Sequence, residues 1–176
     1  MKSIILTGPK ASGKTSAGKT LASLCKREFI DLDELIFQRT GKTPRQLYID
    51  GSPVFQKAEA DAVKSLASNE LSRIISAGGG IIDNPEAFGL LKKIDTAKIV
   101  YINVSSGSAW GRISASARKT GELPPFLQTE NPQETHRVLH ERRAAAYSQS
   151  TDLTVDADGK TPDQIALEII EHYKLL

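Results

Sequence analysis

Gly8-Pro9-Lys10-Ala11-Ser12-Gly13-Lys14-Thr15 satisfies the phosphate-loop pattern G-x-x-x-x-G-K-[ST] at every fixed position. Its flanks support it. Ser3-Ile4-Ile5-Leu6 is a short apolar run that reads as a buried parallel strand, and a helical pattern with Ala17, Leu21, Leu24 and Cys25 on one stripe follows the loop. Such a strand-turn-helix aims backbone N–H groups and the positive helix end at an anion, while its glycines let the backbone curl close around the charge. Gly8, Lys10, Ala11, Ser12, Gly13, Lys14, Thr15 and Ser16 are therefore the expected nucleotide-binding residues. Lys14 is placed to reach the β- and γ-phosphate oxygens of a bound nucleotide, and the Thr15 hydroxyl to reach a Mg²⁺ ion.

The 176-residue length suits one domain over residues 1–176, large enough to bury a core without staples. The single cysteine, Cys25, cannot form an internal disulfide, which suits a reducing cytoplasm. The first strand begins by residue 3, leaving no room for a signal segment, and no apolar run reaches membrane-spanning length. A net charge of +2 and 6% aromatic residues, with no aromatics interleaved in a basic stripe, fit a binder of small anions and argue against nucleic acid. We expect a cytoplasmic monomer acting on a small molecule, with neither membrane nor nucleic acid as partner. His136, His140 and His172 fall on helical patterns without a partner at metal-ligand spacing, so surface or capping roles are expected.

Beyond the loop, strands are expected at 29–33, 71–77, 98–104 and 153–155, and helices at 15–26, 33–40, 54–69, 85–93, 132–149 and from 162. Asn84-Pro85 and Thr161-Pro162 each place a capping residue before a first-turn proline, and Thr161 with Gln164 makes a capping box. Strands alternating with helices in this way predict an α/β fold, an open parallel sheet covered by helices on both faces. Residues 114–131 lack periodicity and read as a lid, and 33–69 as an acceptor-binding segment.

Ligands of such a sheet bind beyond the carboxyl ends of its strands. Asp31 and Asp33 end the second strand, two apart and so on one side of it. One can serve a Mg²⁺ shell, and the other can take a proton from a substrate hydroxyl. Either could instead cap the next helix. Gly78-Gly79-Gly80 ends the third strand, as a close approach to substrate or as an ordinary flexible turn.

Taken together, these motifs resemble those of the shikimate kinases over almost the whole chain. The loop at 8–15, Asp31-x-Asp33, Gly78-Gly79-Gly80, the strand ending Val100-Tyr101-Ile102, and Arg143-x-x-x-Tyr147 occur in that family's order at about its spacings, and Phe55 and Glu59 match its Phe-Arg-x-x-Glu motif. The resemblance implies a five-stranded parallel sheet in the order 2-3-1-4-5, ATP and Mg²⁺ as cosubstrates, and transfer of the γ-phosphoryl to the 3-hydroxyl of shikimate. It implies Asp31 as the magnesium-shell residue, Asp33 as the partner of the substrate hydroxyl, Gly79 and Gly80 lining the substrate, Arg143 on the substrate carboxylate, and Arg112 near the adenine.

Two positions depart from that pattern, each by loss of a cation. Gln56 stands where the motif has arginine, and Pro124-Pro125-Phe126-Leu127 stands where the family's lid has Arg-Pro before an apolar residue and Leu. Gln56 can donate to a carboxylate without the bidentate fork, and Lys57 beside it is either a point-charge substitute or a solvated helix residue. Arg118 and Lys119 are either replacement lid cations or a solvated basic patch. Two further readings stay open: a divergent kinase of another small polyol or hydroxy acid, and a nucleotide-binding regulatory module without turnover.

Overall fold

A computed structural model describes residues 3–66, 72–94 and 97–176. Its centre is a parallel sheet of five strands, β1 (Ile4–Thr7), β2 (Glu28–Asp31), β3 (Arg73–Ser76), β4 (Lys98–Asn103) and β5 (Leu153–Asp156), in the order β2-β3-β1-β4-β5. In register, Ile5 sits between Ile75 and Ile99, and Leu6 between Ser76 and Val100. Because side chains alternate across a strand, each face of the sheet receives its own apolar set. Ile5, Ile75, Ile99 and Tyr101 join one core, and Ile4, Leu6, Ile74, Val100, Ile102 and Val155 the other.

Helices cover both faces, as the continuous apolar strands require. Helices α1 (Lys14–Cys25) and α8 (Pro162–Tyr173) close the second core with Ala17, Leu21, Ile165 and Ile169. The first core is closed by α2 (Leu32–Thr40), α3 (Pro44–Asp50), α4 (Ser52–Leu66), α5 (Pro85–Lys92) and α7 (Pro132–Ser150), with α6 (Ser106–Thr120) packed beside α7. Tyr147 of α7 is fully buried and stacks on Tyr101 at 5.2 Å between ring centroids. Both caps that precede a proline form: Asn84 accepts from the Ala87 amide, and Thr161 and Gln164 make a capping box. Among the described residues, no helix is long and apolar enough to cross a membrane.

Several expectations are corrected. The second strand ends at Asp31, and Leu32 already belongs to α2, so Asp31 and Asp33 do not share a strand face. Asp31 caps α2, accepting from the Asp33 amide, and capping wins over strand continuation because it satisfies a free helix-end donor. Residues 114–120, expected in the aperiodic lid, complete α6, whose packing against α7 outweighs its Gly- and Ser-rich composition. Leu24 is exposed rather than on the core stripe. His136 and His140 are buried, their rings 5.5 Å apart and the first 5.6 Å from Trp110, so they are packing residues rather than surface or capping ones. The expected helix positions 67–69 and strand position 71 lie outside the described residues.

Gly8, at the end of β1, has φ +138°, and a Cβ built on it would lie 2.4 Å from the Ile102 carbonyl oxygen of β4. Neither partner gives easily, since one is backbone of β4 and the other follows β1 directly. Gly8→Ala is expected to destabilise the fold by at least about 2 kcal/mol and lower its melting temperature by several degrees. A melting temperature equal to that of wild type would show that the loop does not depend on this approach.

Candidate active site

The phosphate loop leaves β1 at Gly8 and turns through Ala11 (φ 64°) into Gly13 (φ 93°), which caps α1. Lys14, in the first turn of α1, bends back into the loop, donating to the carbonyls of Gly8 (2.9 Å) and Pro9 (2.8 Å) and to Ser12 Oγ (3.4 Å). Burial lowers its ammonium to about 8 against the opposing pull of Asp33 and Asp31. A cation so placed has strong reason to exchange neutral carbonyls for phosphate oxygens. Arg112 of α6 donates to the Ala11 carbonyl at 2.9 Å, so the loop is clamped from the side where the resemblance places the adenine.

Asp31 divides its oxygens between two tasks. Oδ1 accepts from the Asp33 amide at 3.0 Å and Oδ2 from the Thr15 hydroxyl at 2.9 Å, with Ser76 Oγ 3.5 Å from that hydroxyl. Two hard oxygens at the mouth of a phosphate loop would suit a Mg²⁺ ion that takes the rest of its shell from water and phosphate. Asp33 sits in the first turn of α2. Desolvation first, and the Asp31 charge second, raise its carboxyl above the usual range against the pull of Lys14 and Lys10. It is thereby more basic than a free carboxylate.

The glycine run brings the remaining groups to the same edge. A Cβ on Gly79 would meet the Lys10 backbone nitrogen at 2.7 Å, so the turn lies directly against the phosphate loop. One on Gly78 would meet Glu59 Oε1 at 3.0 Å and Asp33 Oδ1 at 3.5 Å, and one on Gly80 would meet Arg143 Nη2 at 2.9 Å. At Gly79 the obstacle is backbone, so no side chain fits there, whereas at Gly78 and Gly80 it is the ends of the Glu59 and Arg143 side chains, which a larger residue would displace; the run is a close approach at its centre. Arg143 donates through Nε to Asp83 Oδ2 at 2.8 Å and leans over the Phe126 ring, which belongs to the short 3₁₀ turn Pro125–Leu127. Pro9, Lys10, Phe126, His140 and Arg143 line a narrow cleft between the loop, that turn and α7.

Other expected residues stand apart. Gln56 lies half-buried on α4, one turn before Glu59 and on the same face, its main-chain carbonyl accepting from Asn84 at 2.8 Å. Lys57 pairs with Asp61 and is 81% exposed, which fits the solvated reading. Arg118 and Lys119 are exposed in the last turn of α6, about 9 and 10 Å along the helix from Arg112, where they complement the helix dipole. Glu59, Asn84, Asp83 and Arg142 are site residues that the motif reading did not assign. Glu59 sat in a recognised motif, whereas Asp83 meets Arg143 across 60 residues of sequence and gave no local signal.

The sequence model described as shikimate kinase matches residues 10–174. A shikimate kinase of Thermodesulfovibrio yellowstonii is 31% identical over 100% of this chain and 97% of its own length, and one of Lactococcus lactis subsp. cremoris 32% identical over 98% and 99%. Among solved structures, that of the Acinetobacter baumannii shikimate kinase in complex with shikimate superposes with a TM-score of 0.87 at 27% identity, covering 99% of this chain and 93% of the other. A deoxyadenosine kinase from M. mycoides, at 16% identity and a TM-score of 0.59, shares the fold.

Glu59 gives this site a pH signature. Its Oε2 accepts from Asn84 at 2.9 Å while Oε1 is buried without a partner. Desolvation, offset by the Asn84 bond and reinforced by the Asp33 charge, raises the carboxyl from 4.5 to about 7. The folded carboxyl therefore keeps its proton where the unfolded one has lost it, so Glu59's contribution is complete below about pH 4.5 and lost as pH rises through 7. Glu59→Gln, neutral throughout, should gain stability over wild type across that window by up to about 3 kcal/mol and level off above it. Paired thermal melts from pH 4 to 8 that keep a constant difference would contradict this.

Proposed function

The chain belongs to the shikimate kinase family, and on that premise we propose that it is an ATP-dependent kinase transferring the γ-phosphoryl group to the 3-hydroxyl of shikimate. The observation that carries the reading is the meeting of Asp33, Gly78-Gly79-Gly80 and Arg143 against the phosphate loop. One edge of the sheet thus supplies a base, a close-packed backbone surface and a guanidinium within reach of a nucleotide.

The loop amides and the α1 dipole hold the triphosphate, and Lys14 leaves the Gly8 and Pro9 carbonyls for the β- and γ-oxygens. Asp33 accepts the proton of the acceptor hydroxyl as its oxygen bonds to the γ-phosphorus and the bond to the β–γ bridging oxygen breaks, leaving ADP. Thr15 and Asp31 would hold Mg²⁺, which when bound neutralises charge on the phosphate oxygens. Arg143 and Gly80 orient the acceptor, with Gln56 as a neutral neighbour. Residues 121–131 form the cover over the cleft, anchored to α3 where Arg45 donates to the Leu123 carbonyl at 3.1 Å, and exclude water that would otherwise take the phosphoryl. The exposed placement of Arg118 and Lys119 leaves charge neutralisation to Lys14, Lys10 and the metal. We place the enzyme in the cytoplasm as a monomer.

Shikimate-dependent ADP release, compared with a panel of hydroxy acids and polyols, tests the reading; turnover with another acceptor and none with shikimate would overturn it. Asp33→Asn should lower kcat by at least about 10²-fold with ATP affinity little changed, since the amide keeps the shape but takes no proton. A large loss of ATP affinity instead would move Asp33 into the metal shell.

One observation favours a second reading, an acceptor without a carboxylate: Gln56 is neutral and Arg143 is already paired with Asp83. Gln56→Arg separates the two. For a shikimate enzyme it should lower the shikimate KM about tenfold at unchanged kcat. For the alternative it should weaken the true substrate by leaving an unpaired charge.

A further inference from the structure

The 3₁₀ turn Ile81–Asp83 directly follows the glycine run and ends in a carboxylate held by two adjacent guanidinium groups. Asp83 Oδ2 lies 2.8 Å from Arg143 Nε and 2.7 Å from Arg143 Nη2, filling one edge of that fork. The same carboxylate is bidentate to Arg142, with Oδ1 at 2.8 Å from Nη1 and Oδ2 at 2.9 Å from Nη2. The environments differ. The Arg143 side chain is 15% exposed and the Arg142 side chain 58%. Arg143 Nη1 retains only a 3.5 Å contact with the Gly79 carbonyl.

Apart from the loop lysines, Arg143 is the cation among the described residues that packs on the glycine run, and the Nε–Nη2 edge of its fork, one that an acceptor's carboxylate could take, is held by Asp83. The geometry points to Asp83 as a specificity-determining residue, an internal carboxylate that occupies Arg143 until an acidic acceptor displaces it onto Arg142. This rests on the shikimate reading above and adds a residue pair to it. The exchange keeps the charge balance: two guanidinium groups and one carboxylate leave one net positive charge, enough for one incoming carboxylate. Neutral acceptors gain nothing from the displacement, and an acid must compete for its seat. Asp83 acts through Arg143 and is a positioning residue. Arg143 is the buried member of the pair, with Gly80 beside its Nη2, whereas the exposed Arg142 can follow the carboxylate toward solvent. Although burial opposes ionisation of Asp83, the bonds and charges of Arg142 and Arg143 hold its carboxyl below the usual range, so the competitor is charged throughout neutral pH.

The two partners carry opposite expectations, which a merely structural role would not produce. Calorimetric titration of shikimate into the ADP-saturated full chain should show Asp83→Asn binding about tenfold more tightly than wild type, the worth of a freed charge-assisted bond. Arg142→Gln, a change at an exposed side chain, should bind several-fold more weakly because Asp83 then rests on Arg143 alone. Shikimate methyl ester, without the charge, should respond to neither change, and ADP affinity should stay constant. If wild type binds shikimate but the two variants shift together, or not at all, or the ester shifts equally, the Asp83 assignment is overturned while the substrate reading stands. If wild type and both variants all fail to bind shikimate, the substrate reading itself fails and this inference with it.

Discussion

The site depends on how closely three stretches of backbone approach one another at the carboxyl edge of the sheet. Gly8 passes the Ile102 carbonyl with no space for a Cβ, and Gly79 passes the Lys10 backbone nitrogen with none either. These two contacts set the depth of the phosphate loop and the distance from it to the acceptor surface. Everything chemical hangs from them: Lys14 turned into the loop, Asp33 at the start of α2 beside Gly78, and Arg143 against Gly80. A parallel sheet makes the arrangement rigid, because β1, β3 and β4 are neighbours in it and each ends at the site.

The charges at that edge are balanced in pairs rather than gathered by sign. On the nucleotide side, Lys14 faces Asp31 and Asp33, and on the acceptor side Arg142 and Arg143 face Asp83, with Glu59 held protonated to about pH 7 by its burial. On the proposed reading a ligand enters by replacing an internal partner: phosphate oxygens for the carbonyls on Lys14, a carboxylate for Asp83 on Arg143. Such a site keeps buried charges satisfied when empty, at the cost of some affinity. That balance also fits a chain with glutamine at position 56 and proline at position 124, where cations would have tipped the acceptor side strongly positive.

Local signals carried most of the fold, and contiguous motifs most of the nucleotide site. Eight consecutive residues define the loop, and alternating apolar runs with proline-marked helix starts gave the sheet and its cover. The failures have physical causes. Asp31-Leu32-Asp33 looked like strand because it follows Phe29 and Ile30, yet a side-chain cap at Asp31 starts the helix one residue later. Helix α3 carries the same threonine-proline capping box as α8 at Thr43 and Gln46, a readable signal in an element only seven residues long. Helix α6, with Gly107 and Gly111 in it, has poor propensity and is held by Ala109 and Ile113, a dependence no local window contains. The four-residue spacing of His136 and His140 was a helix-face pattern, obscured because imidazole does not count as apolar. The Asp83 pairing lies beyond local reading altogether, since it joins a turn after β3 to a helix after β4.

Transfer of phosphate to an alcohol, as opposed to water, is the claim on which the account of this molecule stands. Phosphorus NMR of the full chain with ATP, Mg²⁺ and shikimate follows both fates in one tube. The account predicts a phosphate-monoester resonance split by the carbinol proton, growing in step with ADP, with little inorganic phosphate. Inorganic phosphate appearing in step with ADP, and no monoester resonance, would contradict it.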